Sequence, residues 1–559
     1  MDDLFTIIDA RAADKPDAPA LIDGQTGHVR SYGDLALRID HVAGQLAAVG
    51  VVPGSNILSL TVRSRDLVEL VLAASRLGAS ILPFIGAPYC GGLVRARAML
   101  RPSHVFHDSI GEGFRRDNLE GEIWMPLPEL HGATPVPLPP RVPDGTGTLY
   151  YNASTGTTGV SKLVRATHRQ VVLNSEAVAQ AFSLGPTHIH LSCFRHHCHE
   201  LFARALVSGG AAVILPAAED PFEVIRALRQ FRVSHLMAGP RAVSVLESAL
   251  EISPGDFSLQ VVESGGGDLW EGLRRSVAAL TGAEVLRVWG STETTGVVFA
   301  QRPGESAERH TIGSPLPGYE VSLVDERGEP VPRGERGELI VVGEGVAREY
   351  LEPNDRLVSN RFQSGDIMRT DNDNDFYYVG RCASTFKVAG VRVNAEDIER
   401  AIQQTGCVRE VMVLPFPSRS LGHVPVALVV LKPGRRLQNI DMDVVANALH
   451  TDLEYPAAFI AVEEIPLTVG GKPDRKAGAA LLPGHLPGHA RRWRFKPMKW
   501  VRHYWRELRG SNVLMRAARH PRRYFTLARR DRFKRHNAGS DFTDSGQGGP
   551  PPQAPPTRR

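Results

Sequence analysis

Apolar positions along the first 380 or so residues fall into two alternating kinds of stretch. Short runs such as SNILSLTV (55–62), GAAVILP (210–216) and QVVES (260–264) have the length and composition of buried strands. Between them lie stretches such as DLALRIDHVAGQLAAVG (34–50), whose apolar residues recur at three- and four-residue spacing and predict amphipathic helices. Strands alternating with helices predict layered α/β structure. Over residues 316–352 the pattern changes to short strands and turns, as in YEVSLVDERGEPVPRGERGELIVVG, and predicts a meander or small barrel. A second α/β unit follows from about 382 to 480, with a helix at AEDIERAIQQTG and strands at EVMVLPF and VPVALVVL. The expected fold is α/β: a large N-terminal domain of layered α/β subdomains plus a small barrel-like β subdomain, and a smaller mobile C-terminal α+β domain. The expected boundaries are 1–381, 382–483, a basic aromatic tail over 484–537, and a disordered Gly/Pro-rich terminus over 538–559.

Composition narrows the setting. A chain of 559 residues with 42% hydrophobic side chains buries large cores but is too long for a single one. Five scattered cysteines, Cys90, Cys193, Cys198, Cys382 and Cys407, do not make a disulfide scaffold, which points to a reducing compartment. The N-terminus opens with acids and lacks a basic-then-apolar leader, and Glu69 and Arg76 interrupt the most apolar stretch. A cytoplasmic location is therefore expected, with no span of a membrane. The net charge of +4 hides an asymmetry: residues 491–559 carry 19 Lys and Arg against 4 Asp and Glu, so an acidic body bears a basic tail.

Candidate chemistry begins at STGTTGVSK (154–162). Two glycines permit a tight turn and close approach to a ligand. Ser154, Thr155, Thr157 and Thr158 supply hydroxyls, and Lys162 a cation, for phosphate oxygens. A Ser/Thr/Gly-rich surface turn has the same composition. The segment resembles the phosphate-binding loop of the adenylate-forming superfamily, which comprises acyl-CoA synthetases, luciferases and the adenylation domains of peptide synthetases. Its pattern is roughly [ST]GTTGxPKG; here Ser161 replaces the proline and Leu163 the last glycine, while the hydroxyl and glycine core is intact. Six further blocks match in order: SGGGD (264–268), WGSTETTG (289–296), GELIVVGEGVAREYL (337–351), SGDIMRTDNDNDFYYVGR (364–381), FKVAGVRVNAEDIE (386–399) and PLTVGGKPDRKA (466–477). The resemblance covers about residues 1–480.

The resemblance implies an enzyme that joins a carboxylic acid to ATP, releases pyrophosphate and passes the acyl group from acyl-AMP to a thiol. It implies that Ser154, Thr155, Gly156, Thr157, Thr158, Gly159 and Lys162 cradle the triphosphate. Gly265, Gly266 and Gly267 would line the adenine slot beside Trp289, Gly290 and Ser291. Thr292 would meet the α-phosphate and Glu293 would bind Mg²⁺, the one metal implied. Asp366 would accept hydrogen bonds from the ribose hydroxyls, supported by Arg381; a carboxylate suits a vicinal diol because it is an acceptor without competing donors. Lys472, a compact ammonium on a Gly-Gly loop, would bridge the substrate carboxylate and the α-phosphate.

Several positions depart from the pattern. Relatives carry an Asp or Lys hinge two residues after the GR pair, where this chain has Ala383. The loop Lys387–Gly390 resembles the segment lining the thiol tunnel, which favours a thioester-forming ligase. Amino-acid-activating members carry an aspartate in an FDxS-like context, and LSCFRHHCHELF (191–202) lacks it, so the expected acid has no α-ammonium. His197 is the nearest match to a histidine gating the carboxylate pocket, with His196 and His199 as alternatives in register. Cys193, His196, His197, Cys198 and His199 also have the residue types of a zinc site, although neighbours on one short segment cannot all face one tetrahedral centre. The histidines and Trp289, where many relatives carry tyrosine, are compatible with a small aryl acid such as a hydroxybenzoate; a medium-chain acid stays open.

Between Arg491 and Arg535 lie 17 basic residues interleaved with Trp493, Phe495, Trp500, Tyr504, Trp505, Tyr524, Phe525 and Phe533. Such a segment suits an acidic acyl carrier protein delivering a phosphopantetheine thiol, or a peripheral contact with an anionic membrane. Nucleic acid is not expected, because no binding fold surrounds it. The overall reading is an acid:carrier-protein ligase resembling those of bacterial aryl-polyene (xanthomonadin-like) pigment pathways. Coenzyme A is the alternative acceptor, and a catalytically silent acyl-binding scaffold the competing class.

Overall fold

The computed structural model describes residues 3–482 apart from 86–89, 109–121, 141–143, 155–161, 195–197, 305–309, 353–354, 390, 419–420, 450–451 and 469–472. Chain contacts separate Met1–His485 from Leu486–Arg559, and the second unit lies outside the described residues.

The apolar runs become the centre of a nine-stranded sheet. Its strands run in the order Ser314–Pro315, Gly296–Ala300, Glu284–Ser291, Val261–Ser264, His235–Met237, Ile189–Ser192, Ala211–Ile214, Pro19–Asp23 and Val29–Ser31. The six strands from Glu284–Ser291 to Pro19–Asp23 are mutually parallel, and antiparallel strands close both edges. Helices cover both faces, which explains why every residue of AAVI and VVES is buried rather than every second one. Polar residues mark where those helices begin. Ser31 caps Tyr32–Ala48, Ser64 caps Arg65–Arg76, and Asp220 caps Pro221–Gln230. Thr167 and Gln170 form a reciprocal capping box at the start of His168–Ala181.

A second, parallel sheet orders Ser80–Ile85, Asn56–Thr61, His104–His107 and Ile123–Pro126. The antiparallel hairpin Thr148–Ser154 and Lys162–Thr167 brackets the phosphate-loop sequence. The expected meander is a five-stranded antiparallel sheet of Tyr319–Val324, Gly337–Gly343, Leu357–Val358, Arg361–Thr370 and Phe376–Arg381.

The short turn Cys382–Ser384 leads into the last sheet. There Val408–Ser418 and Gly422–Leu431 form a long hairpin; the antiparallel Thr385–Val388, with Val391–Asn394 beyond it, and the parallel Ala458–Ala461 both pair with Gly422–Leu431. The helix Ala395–Gln403 buries Ile398, Ala401 and Ile402 against this sheet, within a hydrophobic cluster separate from those of the large sheet. No described helix is long and apolar enough to cross a membrane.

Candidate functional site

Parallel α/β sheets present ligand sites at the carboxyl ends of their strands, where backbone groups are released from the ladder. Here four such ends meet at one cavity of about 970 Å³. Ile189–Ser192 leads to Phe194, His235–Met237 to Gly239 and Pro240, Val261–Ser264 to Gly265–Asp268, and Glu284–Ser291 to Thr292 and Glu293. The antiparallel sheet adds Ser364, Asp366 and Arg381, and the C-terminal module adds Gln403, Arg409, Ile465, Leu467 and Pro473.

Two carboxylates define the cavity. Asp366 is almost fully buried; the Trp289 indole N–H donates to its Oδ2 at 2.8 Å, and Arg381 Nε lies 2.8 Å from its Oδ1. Arg381 and Asp366 face each other in the register of their strands, so pairing alone brings the ion pair together. Asp366 in turn holds the Arg381 guanidinium above its ordinary pKa. Glu293 accepts from the Tyr350 hydroxyl at 2.8 Å through Oε1, and its backbone carbonyl accepts from Ala347 N at 2.8 Å. The turn Thr292–Thr294 that presents Glu293 is fixed by Ser291 N donating to Thr294 Oγ1 at 3.0 Å. It ends at Thr295, a non-glycine residue held at φ 53°, a strained geometry typical of sites where position matters more than comfort.

Two glycines are there for close approach. A Cβ on Gly290 would lie 2.1 Å from the Gly296 carbonyl oxygen, because the strand turns back on itself at this point. Gly266 takes φ +80° and lies under the Phe194 ring. Beside it, desolvation raises the Asp268 carboxyl, but His310, Arg400 and Arg287 outweigh that and hold it down at about 2. Arg400 Nη1 lies 3.6 Å and His310 Nε2 3.2 Å from Asp268. Arg400 belongs to the C-terminal module, as does Lys432, whose ammonium sits 5.0 Å from the centre of the Trp270 ring. These contacts join the module to the rim of the cavity.

The structure thus brings Lys162, Gly265, Gly266, Gly267, Trp289, Gly290, Ser291, Thr292, Glu293, Asp366 and Arg381 to one cavity. The expected Thr155, Gly156, Thr157, Thr158, Gly159, His196, His197 and Lys472 lie outside the described residues, as does the side chain of Ser154. Leu467 and Pro473, which flank the Lys472 loop and bridge to each other, line the cavity.

His199, the register alternative for a pocket gate, is corrected. It is buried against Tyr150, with the Tyr150 hydroxyl 2.5 Å from its Nδ1, and is not among the lining residues. Phe194, five residues earlier, takes a place in the lining instead. Among the described residues no group of three or more His, Cys, Asp and Glu is arranged to hold a metal. Burial pushes the Cys193 thiol up to about 11 and Cys198 to about 12, which keeps both protonated and poor as ligands. A single carboxylate at Glu293 fits a magnesium ion that takes its other oxygen ligands from nucleotide and water.

Tyr350, Phe194, Asp268 and Arg400 are the lining or supporting residues that motif reading missed. Tyr350 and Asp268 stand inside matched blocks, but their partners are 57 and 132 positions away in the chain.

With this geometry, the chain matches the AMP-binding enzyme family over residues 8–89 and 94–351, and it belongs to that family. Bacitracin synthase 2 of Bacillus licheniformis is 26% identical over 496 residues, covering 85% of this chain but only 18% of that synthase. 4-coumarate–CoA ligase-like 6 of Oryza sativa subsp. japonica is 27% identical over 460 residues, covering 75% of this chain and 76% of the relative. In fold, the chain is similar to the anthranilate CoA ligase AuaEII solved with anthranoyl-AMP, with a TM-score of 0.78 and 20% identity over 86% of this chain and 96% of that one.

Proposed function

We propose that the chain is an AMP-forming acid–thiol ligase. It would activate a small aryl acid, such as a hydroxybenzoate, and pass it to the phosphopantetheine thiol of an acyl carrier protein. The observation that carries this reading is one cavity lined jointly by Gly265–Gly267, Trp289–Glu293 and the Asp366–Arg381 pair.

In the first step a carboxylate oxygen attacks the α-phosphorus, and pyrophosphate leaves with the P–O electron pair. Asp366 accepts hydrogen bonds from both ribose hydroxyls, while Arg381 fixes that carboxylate. Thr292 donates to an α-phosphate oxygen, and Lys162 faces the outer phosphates. Glu293 would hold Mg²⁺, which when bound supplies positive charge to the phosphate oxygens. Lys472 enters from a loop whose flanks, Leu467 and Pro473, already line the cavity, and neutralises the charge that builds as the mixed anhydride forms.

In the second step the thiol sulfur attacks the acyl carbon and AMP leaves. Of the Lys387–Gly390 loop that would line the thiol channel, the described residues 387–389 are not among those lining the cavity, so this arrangement suits the first step. The names of the coumarate–CoA ligase-like relative and the anthranilate CoA ligase favour an aryl acid and keep coenzyme A as the alternative acceptor. A cytoplasmic setting, with the basic 491–535 segment meeting an acidic carrier or an anionic membrane surface, completes the proposal.

A pyrophosphate-release screen across aryl, fatty and amino acids tests the first step, and an aryl acid should give the highest rate. Lys472→Ala should abolish acid-dependent ATP–pyrophosphate exchange while leaving the circular dichroism spectrum unchanged; near-normal exchange would remove Lys472 from the mechanism. Comparing thioester yield with coenzyme A and with a holo carrier protein decides the acceptor, and efficient turnover on coenzyme A alone overturns the carrier assignment.

A further inference from the structure

Tyr350 stands between two groups that the proposed function places at the phosphate end of the cavity. Its hydroxyl donates to Glu293 Oε1 at 2.8 Å, and the Lys162 ammonium sits 4.6 Å from the centre of its ring. The residue is itself almost fully buried. Its backbone is fixed on the same side. Tyr350 bridges to Val164, Leu351 N donates to Leu163 O at 2.8 Å, and Ala347 N donates to Glu293 O at 2.8 Å. Gln170 Nε2 and Asn360 Nδ2 both donate to Val346 O, so the whole 346–351 segment is pinned between the hairpin and the turn that presents Glu293.

We propose that Tyr350 is the positioning residue for the phosphate end of the site, its hydroxyl fixing the carboxylate that receives the metal and its ring seating the lysine that follows the phosphate loop. One oxygen of Glu293 is engaged and oriented by Tyr350, leaving the other for an incoming cation. A carboxylate already held in one rotamer gives up less freedom on binding, and the same ring keeps Lys162 from wandering off the phosphate path. This inference rests on the nucleotide-binding reading of the cavity.

The test measures calorimetric binding of ATP by the full chain, with magnesium and in EDTA, in the wild type, Tyr350→Phe, Tyr350→Leu, Glu293→Gln and the double variant Tyr350→Phe with Glu293→Gln. Tyr350→Phe should weaken binding with magnesium about 10-fold, the scale of a lost hydrogen bond to a charged group, and change metal-free binding less than about 2-fold. Tyr350→Leu, which also removes the seat of Lys162, should weaken metal-free binding by about 3-fold more. The double variant leaves no buried charge unpaired, so it keeps the comparison available if Tyr350→Phe does not fold. Its ratio of metal-loaded to metal-free affinity should equal that of Glu293→Gln alone. An unchanged ratio in Tyr350→Phe, or a further loss in the double variant, overturns the carboxylate role. Equal metal-free affinities in the Phe and Leu variants overturn the lysine seat. A wild type that binds no ATP at all overturns the nucleotide reading and this inference with it, which separates the two failures.

Discussion

Single residues at this site act through pairs. Asp366 has one oxygen against the Trp289 indole and the other against Arg381, so its plane is fixed before any diol arrives. Asp366→Ala should weaken ATP binding roughly 10-fold or more, since a charged hydrogen-bond acceptor is lost. The wild type should discriminate against 2′-deoxy-ATP, and the variant should not; calorimetry on both nucleotides checks this. The motif blocks put Asp366, Arg381 and Trp289 on view. What they could not reveal is that the indole replacing a tyrosine reaches Asp366, because the two are 77 positions apart and only the packing of two sheets joins them. At Gly290 the sequence shows a glycine and the structure shows why. Gly290→Ala should destabilise the fold by about 3 kcal/mol in chemical denaturation, because its Cβ would meet a backbone oxygen that cannot move aside.

Secondary-structure elements carry a second polar layer beneath the cavity. Arg204, on the short helix Ala203–Ser208, is fully buried with its Nη1 2.5 Å from Glu263 Oε2, and His235 Nε2 lies 3.0 Å from the same oxygen. Removing one member leaves an uncompensated charge, so Arg204→Met should cost about 3–5 kcal/mol, and replacing Glu263 by Leu in the same chain should recover much of it. Burial holds His190 and His235 below the ordinary 6.5 of an imidazole; His235 and Arg204 push His190 further down, while at His235 the pull of Glu263 upward only partly offsets burial, Arg204 and His188. Folded imidazoles that resist protonation lose stability as the unfolded chain takes up protons. The melting temperature should therefore hold above about pH 6.5 and fall as the pH drops below it. A flat melting temperature from pH 7 to pH 5 would show that these histidines take up protons in the fold as readily as in the unfolded chain. Periodicity identified the strands of this layer well, since runs such as VVES and AAVI carry the signal of burial on two faces. It gave no hint of the Arg204 pairing, because a charged residue in an apolar helix looks the same whether it finds a partner or reaches solvent.

Across the whole of Met1–His485, the C-terminal module meets the cavity rim through Arg400 at Asp268 and Lys432 at Trp270. The turn Cys382–Ser384 joins the antiparallel sheet that ends at Arg381 to the last sheet, and its Ala383 lines the cavity. Arg400→Ala should loosen this contact. Trypsin should then cut after Arg381 several-fold faster than in the wild type, while the melting temperature changes little, as for a partly exposed ion pair. Cleavage at the wild-type rate would place the restraint elsewhere. The order of the elements and the change from layered α/β to antiparallel strands were legible in the pattern of apolar positions. The position of the module against the cavity was not, since it depends on a few side chains meeting across separate cores.

By itself, the sequence determined the local chemistry of this protein. Apolar runs and their spacing specify strands and helices, and the glycine, hydroxyl and acidic residues of the blocks specify what kind of ligand they suit, because both depend on residues close together in the chain. The tertiary structure alone decided which of those residues share a cavity and what holds them there: Trp289 on Asp366, Tyr350 between Glu293 and Lys162, and His199 turned into the core. Those contacts are set by the register and stacking of separate sheets, and the free energy of burying each pair is distributed over segments that carry no mark of one another.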